Sequence, residues 1–276
     1  MATVGILHPG EMGAAVGAAL VSAGHAVVWA SEGRSEYTSA RAAAAALRDV
    51  GSVADVVADG EIVLSVCPPH AARDVAAGVA AAGFRGIFVD ANAVSPATTA
   101  EIGSTVEAAG ATFVDGGIVG PPPGVEVDAR LYLSGSEAAS VAELFEDTTV
   151  SAVVLDGPVG AASALKMTYA GWTKGTTALL LAMRAAARAH GVEDALVEEW
   201  AGSIPELPTR SARAARSAAA KGWRWVGEMK EIAATLDAAG VPPGFHEAAA
   251  EVFRRSPRTA EPDVLDAVLS GLLREE

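Results

Sequence analysis

In this 276-residue chain, an apolar run at residues 4–7 leads into His8-Pro9-Gly10-Glu11-Met12-Gly13 and then an alanine-rich stretch. The pattern predicts a strand, a tight turn and a helix opening near Met12. A glycine at position 10 lets backbone amides come close to a phosphate, and Gly13 lets the new helix pack on the strand. A helix N-terminus adds amide donors and partial positive charge, so the turn suits a pyrophosphate. The spacing is that of a dinucleotide-binding G-x-G-x-x-G turn with histidine at the first glycine. His8, Pro9, Gly10, Glu11 and Met12 are therefore expected to bind a dinucleotide cofactor.

The residues about twenty positions further on decide which dinucleotide. An acid there holds the ribose hydroxyls of NAD, whereas an arginine suits the 2′-phosphate of NADP. Here Ser31, Glu32, Arg34 and Ser35 occupy that place. Glu32 fits NAD. Ser31, Arg34 and Ser35 fit NADP, which this reading favours while leaving NAD open.

Three further loops follow apolar runs. They hold Cys67, Pro68 and Pro69, then Asn92 and Ser95 within Asp-Ala-Asn-Ala-Val-Ser-Pro, then Ile118, Val119 and Gly120 ahead of three prolines. Open α/β sheets bind ligands at the carboxyl ends of their strands, and small loops let a flat ring and a small substrate approach the backbone. Lys166 lies early in a long apolar stretch, among small residues. A buried ammonium is costly without a partner or a task, and burial favours release of its proton. It is the candidate proton carrier. At helical spacing Trp225, Met229 and Ile232 form one stripe. It reads as core packing, or as a cleft wall of Trp225 and Met229 facing Tyr169. His246 is a further candidate acid.

These groups need a scaffold. Up to about residue 157 short apolar runs alternate with helical segments, the mark of a parallel sheet covered on both faces. Strands are expected at 26–30, 62–66, 86–89, 112–114, 131–134 and 153–155, and helices at 40–47, 71–82 and 96–109. Beyond that the chain reads as helices alone, at 159–190, 193–204, 208–220, 223–239, 244–253 and 263–273. The first of these would be a rod of about 45 Å. The fold class is thus an α/β Rossmann domain (doubly wound, mostly parallel sheet) over 1–157. An all-α domain follows over 158–276, joined by a long interdomain helix.

Composition narrows the partners. Hydrophobic residues make up 51% of the chain, enough for real cores, and the net charge is −14. So acidic a surface disfavours nucleic acid and anionic lipid. One cysteine, Cys67, rules out an internal disulfide and fits a reducing cytoplasm. No apolar run reaches the length of a membrane span, and with no basic segment or cleavage site ahead of the first strand a secretory leader is not expected. No metal-ligand spacing is present.

In their order, the glycine turn, the proline-ended strand, Asp-Ala-Asn-Ala-Val-Ser-Pro, Asp-Gly-Gly-Ile-Val-Gly and Gly160 ahead of Lys166 resemble the β-hydroxyacid dehydrogenase superfamily. That superfamily includes the 3-hydroxyisobutyrate and 6-phosphogluconate dehydrogenases. The likeness spans most of the chain and looks closest to a branch with a distinctive C-terminal domain. It implies hydride transfer at nicotinamide, the helix lysine (here Lys166) as proton carrier, and a helical domain that builds a homodimer. It also places Lys230-Glu231-Ile232 on the family's Lys-Asp-Leu segment near the cofactor. The chain departs from the family in three places. Ala170 stands where an asparagine orients substrate, Asn92-Ala93 replaces a Ser-Thr pair, and Val119-Gly120-Pro121 replaces Ser-Gly-Gly. The carboxylate-binding surface of a simple hydroxyacid enzyme is therefore largely missing.

The expected activity is that of an NADP-preferring oxidoreductase acting on a small hydroxy or carbonyl substrate. Lys166, Asn92 and Tyr169 would be catalytic, and Ser95, Ile118, Val119, Gly120, Tyr169, Trp225 and Met229 would contact substrate. Cys67, Pro68, Pro69, Asn92 and Lys230 would join the turn in holding cofactor. Two alternatives stand beside it, an imine reductase on the same fold and a non-catalytic dinucleotide sensor.

Overall fold

The computed structural model describes residues 1–124, 129–261 and 263–273. The chain forms two compact units, Met1–Lys166 and Met167–Glu276.

The first unit is built on eight strands: β1 (Thr3–Leu7), β2 (Ala26–Trp29), β3 (Arg48–Asp49), β4 (Ile62–Ser65), β5 (Ile87–Asp90), β6 (Thr112–Val119), β7 (Ala129–Ser134) and β8 (Val150–Val154). They lie in the order β3-β2-β1-β4-β5-β6-β7-β8, and every pair is parallel except β6 with β7. The order reverses between β1 and β4, the switch point where such sheets bind ligands. Side chains alternate across the sheet. Val4, Ile6, Val27, Trp29, Ile62 and Leu64 enter one core, and Leu7, Val28, Val63 and Phe88 enter the other. Each core is roofed by helices: α1 (Glu11–Ser22), α2 (Glu36–Ala44), α3 (Val53–Asp59), α4 (Ala72–Ala81), α5 (Pro96–Ala108) and α6 (Ala138–Glu143).

Two departures from the sequence expectation matter for the site. The 112–114 strand runs on to Val119, because beyond Asp115 it leaves β5 behind and pairs antiparallel with β7, from Asp115 opposite Ser134 to Val119 opposite Arg130. Gly116 and Gly117 hid this, since glycine is depleted in strands. Residues 48–59, which carried no expectation, supply β3 and α3. The signal for α3 was present, because Ser52 and Asp55 form a capping box at its start.

The second unit is helical. It contains most of α7 (Ala161–Ala189), then α8 (Glu193–Ser203), α9 (Leu207–Ala238), α10 (Gly244–Arg255) and α11 (Leu265–Leu272). Two helices were expected over 208–239, and the chain instead makes one of 32 residues. Gly222, the expected break, is buried in contact distance of the Phe253 ring, so packing overrides its weak helix propensity. Ala214, Ala215, Ala218, Ala219, Met229 and Ile232 form the buried stripe of α9. Glu193 ties α8 to α7 by accepting from both Arg184 (2.8 Å) and Arg188 (2.5 Å).

Candidate dinucleotide site and the lysine at the sheet edge

The turn after β1 sits at the switch point. His8 takes a left-handed backbone (φ 65°) where glycine is the residue of least strain, and its carbonyl accepts from Gly10 N–H at 2.7 Å. A side chain at Gly13 would place its Cβ 2.6 Å from that carbonyl, so glycine is required for α1 to start this close to β1. α1 begins without a side-chain cap, leaving its first-turn amides suited to an anion.

Beside the turn lies a cavity of about 440 Å³ lined by Leu7, His8, Arg34, Asp74 and apolar residues of α3 and α4. Burial and then the Arg34 charge push the His8 imidazole down to about 4. His8 Nδ1 and Arg34 Nε are buried polar atoms with no partner within the protein. A turn that demands glycine at 13, two orphaned nitrogens and a cavity with apolar walls fit a dinucleotide. The candidates after β2 separate here. Arg34 lines the cavity, while Glu32 is exposed and not among its lining. Ser35 caps α2 by accepting from Thr38 N–H (3.3 Å), and Ser31 bonds to Asp49, a residue the sequence reading passed over.

At the ends of β4 and β5 the polar side chains turn inward. Asn92 is 2% exposed. Its Oδ1 accepts from Cys67 N–H at 2.5 Å, and its Nδ2 donates to Ser65 Oγ at 3.0 Å and to Asp90 Oδ1. Both amide hydrogens are spent within the protein, and the side chain fixes the shape of the 66–69 loop. Ser95 is likewise occupied, capping α5 through Thr98 N–H (3.3 Å). Burial, then the Asp115 charge, push Asp90 up to about 8, and burial raises the Cys67 thiol to about 12. Pro69 opens a short 3-10 turn ahead of α4.

Asp115, which the sequence reading did not single out as a site residue, organises the start of α7. Its carboxylate accepts from Gly160 N–H (2.9 Å), Ser163 N–H (3.1 Å), Ser163 Oγ (2.6 Å) and Ser134 Oγ (2.9 Å). A carboxylate at a helix N-terminus is favoured by the helix dipole. One turn later Lys166, half-buried, donates from Nζ to the Ile118 carbonyl at 2.6 Å. That contact needs Gly117, because a Cβ there would lie 2.8 Å from the Ala162 carbonyl and 2.9 Å from Lys166 Cβ. The ammonium is thereby held at the carboxyl edge of the sheet, beside the buried Ile118 and Val119 and the exposed Gly120.

In the helical unit Tyr169 is 46% exposed and Lys230 is exposed. Trp225 packs edge-on against Phe253 at 5.0 Å. Met229 is 0% exposed, so the expectation that it lines a cleft is corrected: it is a core residue of its own unit. His246 Nε2 lies 3.1 Å from the Gly171 carbonyl, wedged against Gly171 and Gly175. Among the described residues no cluster could hold a metal ion.

Strand order, turn and cavity define a nicotinamide-dinucleotide-binding domain of the dehydrogenase and reductase class. Residues 3–155 match the family described as the NAD binding domain of 6-phosphogluconate dehydrogenase, and the chain belongs to that family. Residues 187–256 match a domain of unknown function, DUF1932. A relative from Methanothermus fervidus, described as an uncharacterized 28.5 kDa protein in the 7S RNA 5′ region, is 32% identical over 167 residues. The match covers 60% of this chain and 64% of that relative's length. Among solved structures, a conserved protein of unknown function described as structurally similar to 3-hydroxyacid dehydrogenases is 28% identical (TM-score 0.67). The match covers 99% of this chain and 100% of that one. The 3-hydroxyisobutyrate dehydrogenase of Mycobacterium tuberculosis, solved with L-serine, is 18% identical with a TM-score of 0.73, covering 99% of each chain. At that identity the likeness is one of fold.

Proposed function

We propose that the chain is an NADP-preferring oxidoreductase acting on a small hydroxy or carbonyl substrate, with Lys166 as the proton carrier. The observation that carries this is the Lys166 ammonium fastened to the Ile118 carbonyl at 2.6 Å, at the sheet edge where a doubly wound fold binds its ligand. His8, Pro9, Gly10, Glu11 and Met12 would hold the pyrophosphate, Arg34 the adenosine end, and residues 66–69 the wall beside the ring. When bound, nicotinamide supplies or accepts the hydride. Lys166 gives a proton to the substrate oxygen during reduction and takes it back during oxidation. Ile118 holds the amine in place between turnovers. Asn92 shapes the 66–69 loop through Cys67. Tyr169 and Trp225 are proposed as substrate contacts and Lys230 as a cofactor contact. We assign residues 1–157 to cofactor binding and 158–276 to substrate binding and dimerisation, in a cytoplasmic homodimer. No described helix is long and apolar enough to cross a membrane.

The test is Lys166→Ala. NADPH binding by fluorescence should persist while turnover falls by about 10²–10⁴, the loss typical of a missing proton-transfer group. Unchanged kcat would overturn the assignment. Parallel assays on ketoacids and cyclic imines separate a carbonyl reductase from an imine reductase. Binding without turnover on either set would identify a sensor.

A further inference from the structure

We infer that His8 is a specificity residue whose imidazole works with the Arg34 guanidinium to select a dinucleotide carrying a 2′-phosphate. The inference deepens the oxidoreductase reading and rests on it.

Histidine at position 8 comes at a cost. Its backbone lies at φ 65°, a conformation that strains any residue with a Cβ and that glycine adopts freely. The turn alone would be better served by glycine. Within the protein the His8 ring makes no bond through Nδ1, which is buried without a partner, and Arg34 Nε is in the same condition. Both residues line one cavity. Two residues that line one cavity, each with a buried nitrogen lacking a partner, fit one acceptor-rich ligand group toward which both side chains can turn.

The charges facing that cavity define the group. Arg34 is a permanent cation. The imidazole is held neutral at pH 7 by burial and by Arg34, so it keeps one N–H to donate. Asp74 lines the same cavity and is exposed. Cys67, coupled to Arg34, stays a neutral thiol. A cation beside a neutral donor matches a phosphate monoester, with a guanidinium for the charge and a directional bond for placement. The apolar walls, Val53, Ala54 and Val75 among them, offer a surface for a purine. Glu32, the acid that follows β2, does not line the cavity, whereas Arg34 does.

The experiment is calorimetric titration of NADP⁺ and NAD⁺ into the full chain and into His8→Gly and His8→Asn. Glycine removes the ring and relieves the backbone. Asparagine tolerates the left-handed backbone and serves if the glycine variant fails to fold. The expected result is a roughly tenfold loss of NADP⁺ affinity, the worth of one hydrogen bond to a charged group, with NAD⁺ affinity changed by less than about twofold. Equal changes for both dinucleotides, or no change for NADP⁺, overturn the inference and leave the oxidoreductase reading intact. Failure of the wild-type chain to bind either dinucleotide overturns both.

Discussion

Asp90 shows how a single buried carboxyl sets a pH response. It carries one oxygen with no partner, on a strand position directly beside Asp115. Its proton leaves at about 8 in the folded chain, against about 4 in the unfolded one. Between these values the folded state binds more protons, so the contribution to stability is full below pH 4 and is lost as pH rises toward 8. Asp90→Asn removes that titration while leaving a group of the same shape. Thermal unfolding at pH 5, 7 and 8.5 should therefore show the variant gaining on the wild type as pH rises. A constant difference between the two melting temperatures would contradict the placement of the proton. Asn92, which accepts from Cys67 and donates to Asp90, should transmit the same change to the 66–69 loop.

At the scale of elements, the contact between β6 and α7 is the feature on which the chemistry depends. Gly117 in β6 lets the first turns of α7 lie against the strand, and the Asp115 carboxylate fastens the helix start to the sheet. Gly117→Ala would force a methyl group against the Ala162 carbonyl and Lys166. Overpacking of this kind costs about 1–3 kcal/mol, and here it also displaces the amine. Chemical denaturation should report that loss, and kcat should fall further than stability alone explains. A variant with full stability and full turnover would show that the close approach is dispensable. Asp115→Asn should cost about 2–3 kcal/mol, because it removes charge-assisted bonds to the two amides at the start of α7. A denaturation midpoint equal to that of the wild type would refute this.

For the whole molecule, α7 carries an exposed apolar face. Tyr169, Trp172, Leu179 and Met183 are each more than two-fifths exposed. Their spacings of three, seven and four residues keep them on one side of the helix. We propose that a second copy of the chain covers this seam. Light scattering should give twice the chain mass, and a paired Leu179→Lys and Met183→Lys substitution should shift it to the monomer. A single-chain mass for the unaltered protein would refute the homodimer. The net charge of −14 should keep such dimers apart from nucleic acid, with no salt-dependent retention on it.

Local chemistry made much of this legible from the chain. The glycine turn, the alternation of short apolar runs with helices, Lys166 as an amine among small residues, and the all-helical second half follow from backbone sterics and hydrophobic period, which act over a few residues. Other features needed partners far away in sequence. Gly116 and Gly117 read as loop until β7 and α7 came to lie against them, and Gly222 read as a helix break until Phe253 packed on it. Asn92 and Ser95 looked free to meet a substrate, yet Cys67, Ser65, Asp90 and Thr98 had already taken their bonds. The stripe of Trp225, Met229 and Ile232 left core and cleft wall both open, and burial made Met229 core. A residue's type limits which bonds it can form, but only the folded neighbourhood decides which of them are already spent.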